Sequence, residues 1–136
     1  MPADLGIFPV NGTARRRPAA GVRHLHPAAL PHWRALLGYR WQEQQAMVAG
    51  FSRDCRDARR AAAEADGPDA REAALRRASA MWHQAVAGWR ALAELDAALS
   101  RLAAGRFGWC QRCGTPIAAA TLTEIPQARY CPDCDE

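Results

Sequence analysis

The sequence predicts a mainly α-helical protein: a long antiparallel two-helix coiled-coil hairpin followed by a small C-terminal module built on four cysteines. Three observations predict it. Apolar residues recur at steps of three and four through two segments, each about 35 residues long. Gly67-Pro68 interrupts that periodicity once. Cys110, Cys113, Cys131 and Cys134 then form two Cys-x-x-Cys pairs with seventeen residues between them.

Residues 1–28 hold Pro2, Pro9, Pro18 and Pro27 with the run Arg15-Arg16-Arg17, and show no sustained periodicity. They read as a disordered or loosely docked arm. Residues 29–104 read as the hairpin. Pro31 suits the first turn of a helix, where its missing N–H costs nothing. Leu30, Trp33, Leu37, Gln44, Val48, Phe51, Cys55, Ala58 and Ala62 follow a helical spacing, while Arg34, Glu43, Arg53, Asp57 and Arg60 occupy the other face.

The tip is Asp66-Gly67-Pro68-Asp69. Gly67 is expected to close the first helix in a left-handed conformation, with Pro68 blocking its continuation. Asp69 is expected to cap the second helix, with Glu72 completing a capping box. The second helix carries an expected seam of Leu75, Ala78, Trp82, Ala85, Trp89, Leu92, Leu99 and Leu102, with Asp96 as a gap, and stops at Gly105. A two-residue connection makes the helices antiparallel. At 1.5 Å per residue the hairpin reaches about 50 Å. Pairing about the turn brings Trp33 to Leu102 and Ala58 to Ala78, giving a bulky base and an alanine-lined tip. Gly50 falls opposite Ala85, where a small residue would ease close packing.

Residues 105–136 read as the third unit. A Cys-x-x-Cys turn lets two sulfurs converge on one cation at about 2.3 Å, and a second pair completes a tetrahedron. Gly114 directly follows the first pair, where the backbone must approach the sulfurs. The spacing favours a single structural Zn²⁺ held by Cys110, Cys113, Cys131 and Cys134. Iron in a rubredoxin-like site, a redox dithiol and two disulfides are the competing readings. Four thiolates leave no open coordination position, so the metal would be structural and not catalytic. Such a short module needs metal binding to fold. Phe107, Trp109, Ile117, Leu122, Ile125 and Tyr130 are available to pack it against the hairpin base. Cys55, at an apolar helical position, reads as a buried and inert thiol.

Composition narrows the function classes. A chain of 136 residues is one domain's worth, and its 49% apolar content is largely alanine. All 18 basic residues are arginine, which together with the alanine content suggests a GC-rich bacterial genome. The formal charge of +4 falls to about +2 once four thiolates and one Zn²⁺ are counted. Bulk charge is therefore a weak argument for nucleic acid. No apolar run is long enough for a bilayer span, no signal peptide is evident, and the cysteine usage fits a reducing cytoplasm. No glycine-rich loop, nucleophile–base pair or open metal site points to an enzyme.

The stretch from Gly105 through Arg106, Phe107, Gly108, Trp109, Cys110, Gln111, Arg112 and Cys113 to Gly114, followed by Ile117, Leu122, Pro126, Ala128 and the second cysteine pair, resembles the TraR/DksA family of C4-type zinc-finger proteins. The resemblance covers roughly residues 66–134. It implies a regulator that binds bacterial RNA polymerase, inserting its hairpin into the secondary channel and bringing acidic tip residues near the active centre. It implies neither an enzyme nor a sequence-specific DNA binder. Asp66 and Asp69 match the family's Asp-x-x-Asp tip, whereas Ala70-Arg71 reverses the order that usually follows. Thr121 stands where many members have arginine. No helix comparable to the one that contributes to guanosine tetraphosphate binding follows Cys134, so nucleotide sensing is not implied.

Two other readings compete with this one. Arg53, Arg56, Arg59, Arg60, Arg71, Arg76 and Arg77 could bind nucleic acid directly, although Asp54, Asp57, Glu64, Asp66, Asp69 and Glu72 are interleaved with them. The chain could also be a zinc-stabilised adaptor for another protein. Pairing of the two helices within one chain makes a monomer the expected state.

Overall fold

The structure, a computed structural model, describes residues 24–135. A 3-10 turn at Pro27–Ala29 leads into α1 (Leu30–Glu64), which packs antiparallel to α2 (Pro68–Ala103); α3 (Ala119–Glu124) and a second 3-10 turn at Pro132–Cys134 follow. Among the described residues there is no strand, only an isolated antiparallel bridge between Trp109 and Pro116. The expected arm lies outside the described residues up to Arg23. Its last part, however, is docked. Leu25 is buried in the main core, and His26 caps the first 3-10 turn by accepting from the Ala28 N–H.

The two helices join differently from the expected turn. Ala65, in extended backbone, ends α1, and Gly67 at φ 103°, ψ 162° is the N-cap of α2. That backbone region is open only to glycine at low cost. Pro68 takes the first helical position, where its fixed φ and missing N–H fit. Asp69 is therefore one position inside the helix and makes no capping hydrogen bond. The expected capping box is absent, and Glu72 pairs instead with Arg76 at 3.1 Å on an exposed face.

The seam of α2 is also rotated from the expected one. The buried positions are Ala78, Ala85, Gly88, Leu95, Ala98, Arg101 and Leu102, while Leu75, Trp82 and Trp89 are nearly half exposed. Leu95 fills the gap expected at Asp96. Trp82 and Trp89 touch edge to face at 5.5 Å on the outer surface, as residues seven apart on one helix face can. On α1 the expected seam is met by buried Trp33, Leu37, Val48, Cys55, Ala58 and Ala62. The close approach of the helices occurs at Gly88 and not at Gly50. A Cβ on Gly88 would run into Val48 Cγ2, whereas one on Gly50 would meet only Arg53 Nη2 at 4.0 Å.

The core divides as the side-chain sizes require. At the base, Trp33, Leu37, Leu95, Ala98 and Leu102 pack with Leu25, Phe107, Ile117 and Leu122 in one cluster. Towards the tip, Cys55, Ala58 and Ala78 form a second, smaller cluster with Met81 beside it. Trp109 and Ile125, expected in the core of the module, are more than a third exposed.

Candidate metal centre

The end of α2 sets the position of the cysteines. Gly105, at φ 72°, stops the helix in a Schellman arrangement: its N–H donates to Leu102 O and the Arg106 N–H to Arg101 O at 2.8 Å. The chain then turns so that Phe107 enters the base core, and Cys110 follows three residues later. The first knuckle closes through the Cys110 N–H to Thr115 O at 2.8 Å and the Gly114 N–H to Cys110 O at 2.9 Å. Gly114 has φ 72°, the left-handed conformation expected there. The second knuckle is the turn Pro132–Cys134, with the Cys134 N–H donating to Cys131 O at 2.9 Å.

These two turns bring Cys110, Cys113, Cys131 and Cys134 together, with their Sγ atoms all within 4.8 Å of one another. Cys113 Sγ and Cys131 Sγ are 3.7 Å apart. A tetrahedron of sulfurs at about 2.3 Å from a central Zn²⁺ has edges of about 3.8 Å, so the donor set fits one metal ion. All four cysteines are free of disulfide bonds.

The thiols do not ionise alike. Burial pushes the Cys110 thiol up, but N–H groups of Cys113, Cys131 and Arg112 directed at its sulfur outweigh this and bring it down to about 6. Cys113 is lowered chiefly by the Thr115 hydroxyl, which lies 2.9 Å from its sulfur. Burial raises Cys131, and burial together with neighbouring thiols pushes Cys134 up to about 12. A proton-sharing cluster of this kind is one in which a dication must displace protons to bind.

Three contacts fasten the module to α2 and to the segment that precedes α1. Arg129 donates through Nε to Glu94 Oε2 at 2.6 Å and through Nη2 to Glu94 Oε1 at 3.2 Å, a forked pair from the module to α2. Arg101, buried on α2, donates through Nη2 to Gln127 O at 3.2 Å. His24 has Nε2 at 3.0 Å from Phe107 O and stacks on Trp109 at 4.0 Å, with Leu25 packed over Gly108. Arg112 also reaches across the two knuckles, donating to Cys134 O and lying over the Tyr130 ring.

None of these fastenings was singled out from the sequence. His24 sits in an aperiodic, proline-rich stretch that carries no local signal. Arg101 lies three residues after Ala98 on the buried face, a spacing that marks it as inward-facing. The other predicted site, Asp66 and Asp69, lies at the far end of the hairpin. Both residues are exposed, and neither forms an ion pair among the described residues.

No protein-family model matches the chain. An uncharacterized protein of Aquifex aeolicus is 44% identical over 45 residues, a match that covers 33% of this chain and 31% of that relative. The structure of transcription factor DksA2 from Pseudomonas aeruginosa superposes with a TM-score of 0.71 at 29% identity, covering 79% of this chain and 80% of that one. The hairpin and the four-cysteine cluster together fit a DksA/TraR C4 zinc-finger protein.

Proposed function

We propose that this chain, built as a DksA/TraR-type hairpin with a four-cysteine centre, is a zinc-binding transcription regulator that binds bacterial RNA polymerase in the cytoplasm. The observation that carries the reading is the match over most of both chains to the transcription factor DksA2, at 29% identity. The cysteines would hold one Zn²⁺ whose role is to fold the module, since four thiolates leave no position for a substrate. No helix among the described residues is long and apolar enough to cross a membrane.

The finer proposal concerns the hairpin. Helices of 35 and 36 residues present Asp66 and Asp69 at the end farthest from the cysteines. We infer that the hairpin enters the secondary channel of the polymerase and that these carboxylates act near the active centre. Support comes from the tip geometry. Had Asp69 been the N-cap, helix capping alone would have explained it; at the second helical position it makes no capping bond and remains exposed. Favourable interaction with the positive end of α2 accounts for only part of its presence there. Ala70-Arg71, which departs from the family's usual order, is likewise exposed.

Binding of the metal-loaded protein to core RNA polymerase from its own host tests the reading. The same measurement is made on a variant with residues 52–82 replaced by a short turn, and on Asp66→Asn/Asp69→Asn. The expected result is binding by the full chain, none by the shortened hairpin, and retained binding but no transcriptional effect for the tip variant. No binding by the full chain refutes the polymerase reading. An unchanged transcriptional effect from the tip variant refutes the tip mechanism alone.

A further inference from the structure

We propose that the cleft between the end of α2 and the first cysteine knuckle, where Arg101, Arg106 and Gln111 meet beside Trp109, binds a small oxyanion such as a phosphate group. The cleft has a volume of about 460 Å³ and is lined by Arg101, Arg106, Trp109, Cys110 and Gln111. Among the described residues no carboxylate lines it.

The observation behind the proposal is Arg101. Only 5% of its surface is exposed, yet among the described residues its side chain makes a single hydrogen bond, from Nη2 to Gln127 O. Its Nη1 is buried with no partner among the described residues. A guanidinium cannot shed its charge, and a buried donor left unpaired is costly, so such a group is normally held against an acceptor. Burial, together with the nearby guanidinium of Arg129 and, to a lesser degree, that of Arg106, works against the charge on Arg101, and Glu94 offsets this only in part. Anionic oxygens entering between Arg101 and Arg106 would relieve that crowding. With Arg101 Nη2 held by Gln127 O, and the Gln111 N–H and Oε1 engaged by Arg129, the donors left are Arg101 Nη1, the fork of the exposed Arg106 and the Gln111 side-chain NH2, which suit the acceptor oxygens of a phosphate or a carboxylate.

A larger cleft, lined among others by Thr121, Ile125 and Gln127, is a poorer candidate. Its volume is about 840 Å³, but Glu94 and Asp135 line it, and its Arg129 is already committed to Glu94. The competing role for Arg101 and Arg106 is to offset the thiolate centre, which carries a net charge of −2 with one Zn²⁺ bound and whose Cys110 borders the same cleft. The two roles are separable by experiment.

The test is a titration of the full-length, metal-loaded protein with inorganic phosphate and, in a second arm, with acetate. Both are run at constant ionic strength and followed by the amide and side-chain N–H resonances in two-dimensional NMR. The expected result is a saturable shift of the Gln111 amide, the Trp109 indole and the Arg101 Nε–H. Arg106→Gln, at an exposed position, should weaken the response about tenfold, the loss of one charge-assisted contact, while the rate of metal release to a chelator stays unchanged. The arm that saturates at the lower concentration identifies the anion as phosphate or carboxylate. No saturable shift in either arm overturns the proposal, as does a response that Arg106→Gln leaves intact. Faster metal release from Arg106→Gln without anion binding assigns the arginines to the thiolates alone and overturns it as well.

Discussion

Gly88→Ala is a substitution whose sign cannot be guessed from helix propensity. Replacing glycine by alanine inside an exposed helix gains about 1 kcal/mol. At Gly88 the new Cβ would overlap Val48 Cγ2 and lie 3.1 Å from Gln44 Nε2 and 3.7 Å from Val48 Cβ. Gln44 can swing its amide away. Val48 cannot, because a β-branched side chain on a helix has one strongly preferred rotamer, so α1 itself must move outward. Overpacking of this kind costs about 1–3 kcal/mol, which exceeds the propensity gain, and the net expectation is a loss of about 1 kcal/mol. Gly50→Ala is the control. It adds its methyl to open space, so the propensity gain of up to about 1 kcal/mol stands alone. Thermal unfolding of the metal-loaded proteins, followed by far-ultraviolet circular dichroism, should show midpoints displaced by several degrees in opposite directions. Val48→Ala should cost less in the Gly88→Ala background than in the wild type, since it removes the methyl that clashes. A Gly88→Ala protein as stable as the wild type, or a Val48→Ala effect that is simply additive, would refute the account of the helix contact.

Two further outcomes concern the base. Glu94 is held below the ordinary carboxylate range chiefly by its hydrogen bonds from Arg129, so the stability it contributes is present above about pH 4.5 and is lost as pH falls through its lowered folded value. Glu94→Gln should therefore destabilise the protein slightly at neutral pH, by under about 1 kcal/mol because the pair is partly solvated, and the difference should shrink as the pH is lowered; a difference that does not change with falling pH would exclude the ion pair as its source. Stripping the metal with a chelator at neutral pH should expose the chain after Gly105 to proteolysis and alter the near-ultraviolet signal of the aromatic base core, because Cys110 and Cys134 sit in the same cluster as Trp33 and Phe107. A chelated protein left uncut after Gly105 would show that the module folds without metal.

Large features were legible because they depend on patterns that few folds share. The two cysteine pairs converge because each Cys-x-x-Cys turn is local, and the hairpin follows from two long periodic segments joined by a very short link. What escaped was set by rotations of less than one residue. Ala78, Ala85 and Leu102 belong to both the expected and the observed seam of α2, but a path through Trp82 and Trp89 and a path through Gly88 and Leu95 differ by a fraction of a turn. Hydrophobicity alone favours the tryptophans, but the helices approach too closely at Gly88 to accommodate indoles between them. The helix cap at the tip was displaced in a similar way. Both Gly67 and Asp69 were reasonable cap residues, and Pro68, by its fitness for the first helical position, shifted the cap back to Gly67. Arg101 and His24 escaped for a different reason. Their partners, Gln127 and Phe107, lie 26 and 83 residues away, beyond any local signal.

The two clusters of the core imply an uneven distribution of stability along the hairpin. Burying a leucine or larger side chain contributes about 1.5–3 kcal/mol, whereas an alanine methyl contributes less than about 1 kcal/mol. The base holds Trp33, Leu37, Leu95, Leu102, Phe107, Ile117 and Leu122, together with the cysteine centre. The tip cluster holds Cys55, Ala58 and Ala78. Opening should therefore begin at the tip and stay confined there, because α1 and α2 are anchored at the end where the metal would bind. Small side chains also bring the helix axes close together, so the distal hairpin is narrow as well as weakly held. Narrowness favours entry into a confined space, and weak cohesion lets the end adjust to what it meets. Asp66 and Asp69 occupy that end with no ion pair among the described residues to hold them. Under the proposed function, the alanine content of the distal hairpin and the exposure of its two carboxylates would serve one requirement, the reach of charge into a narrow channel, with the base cluster and the cysteine module supplying the stability that the tip lacks.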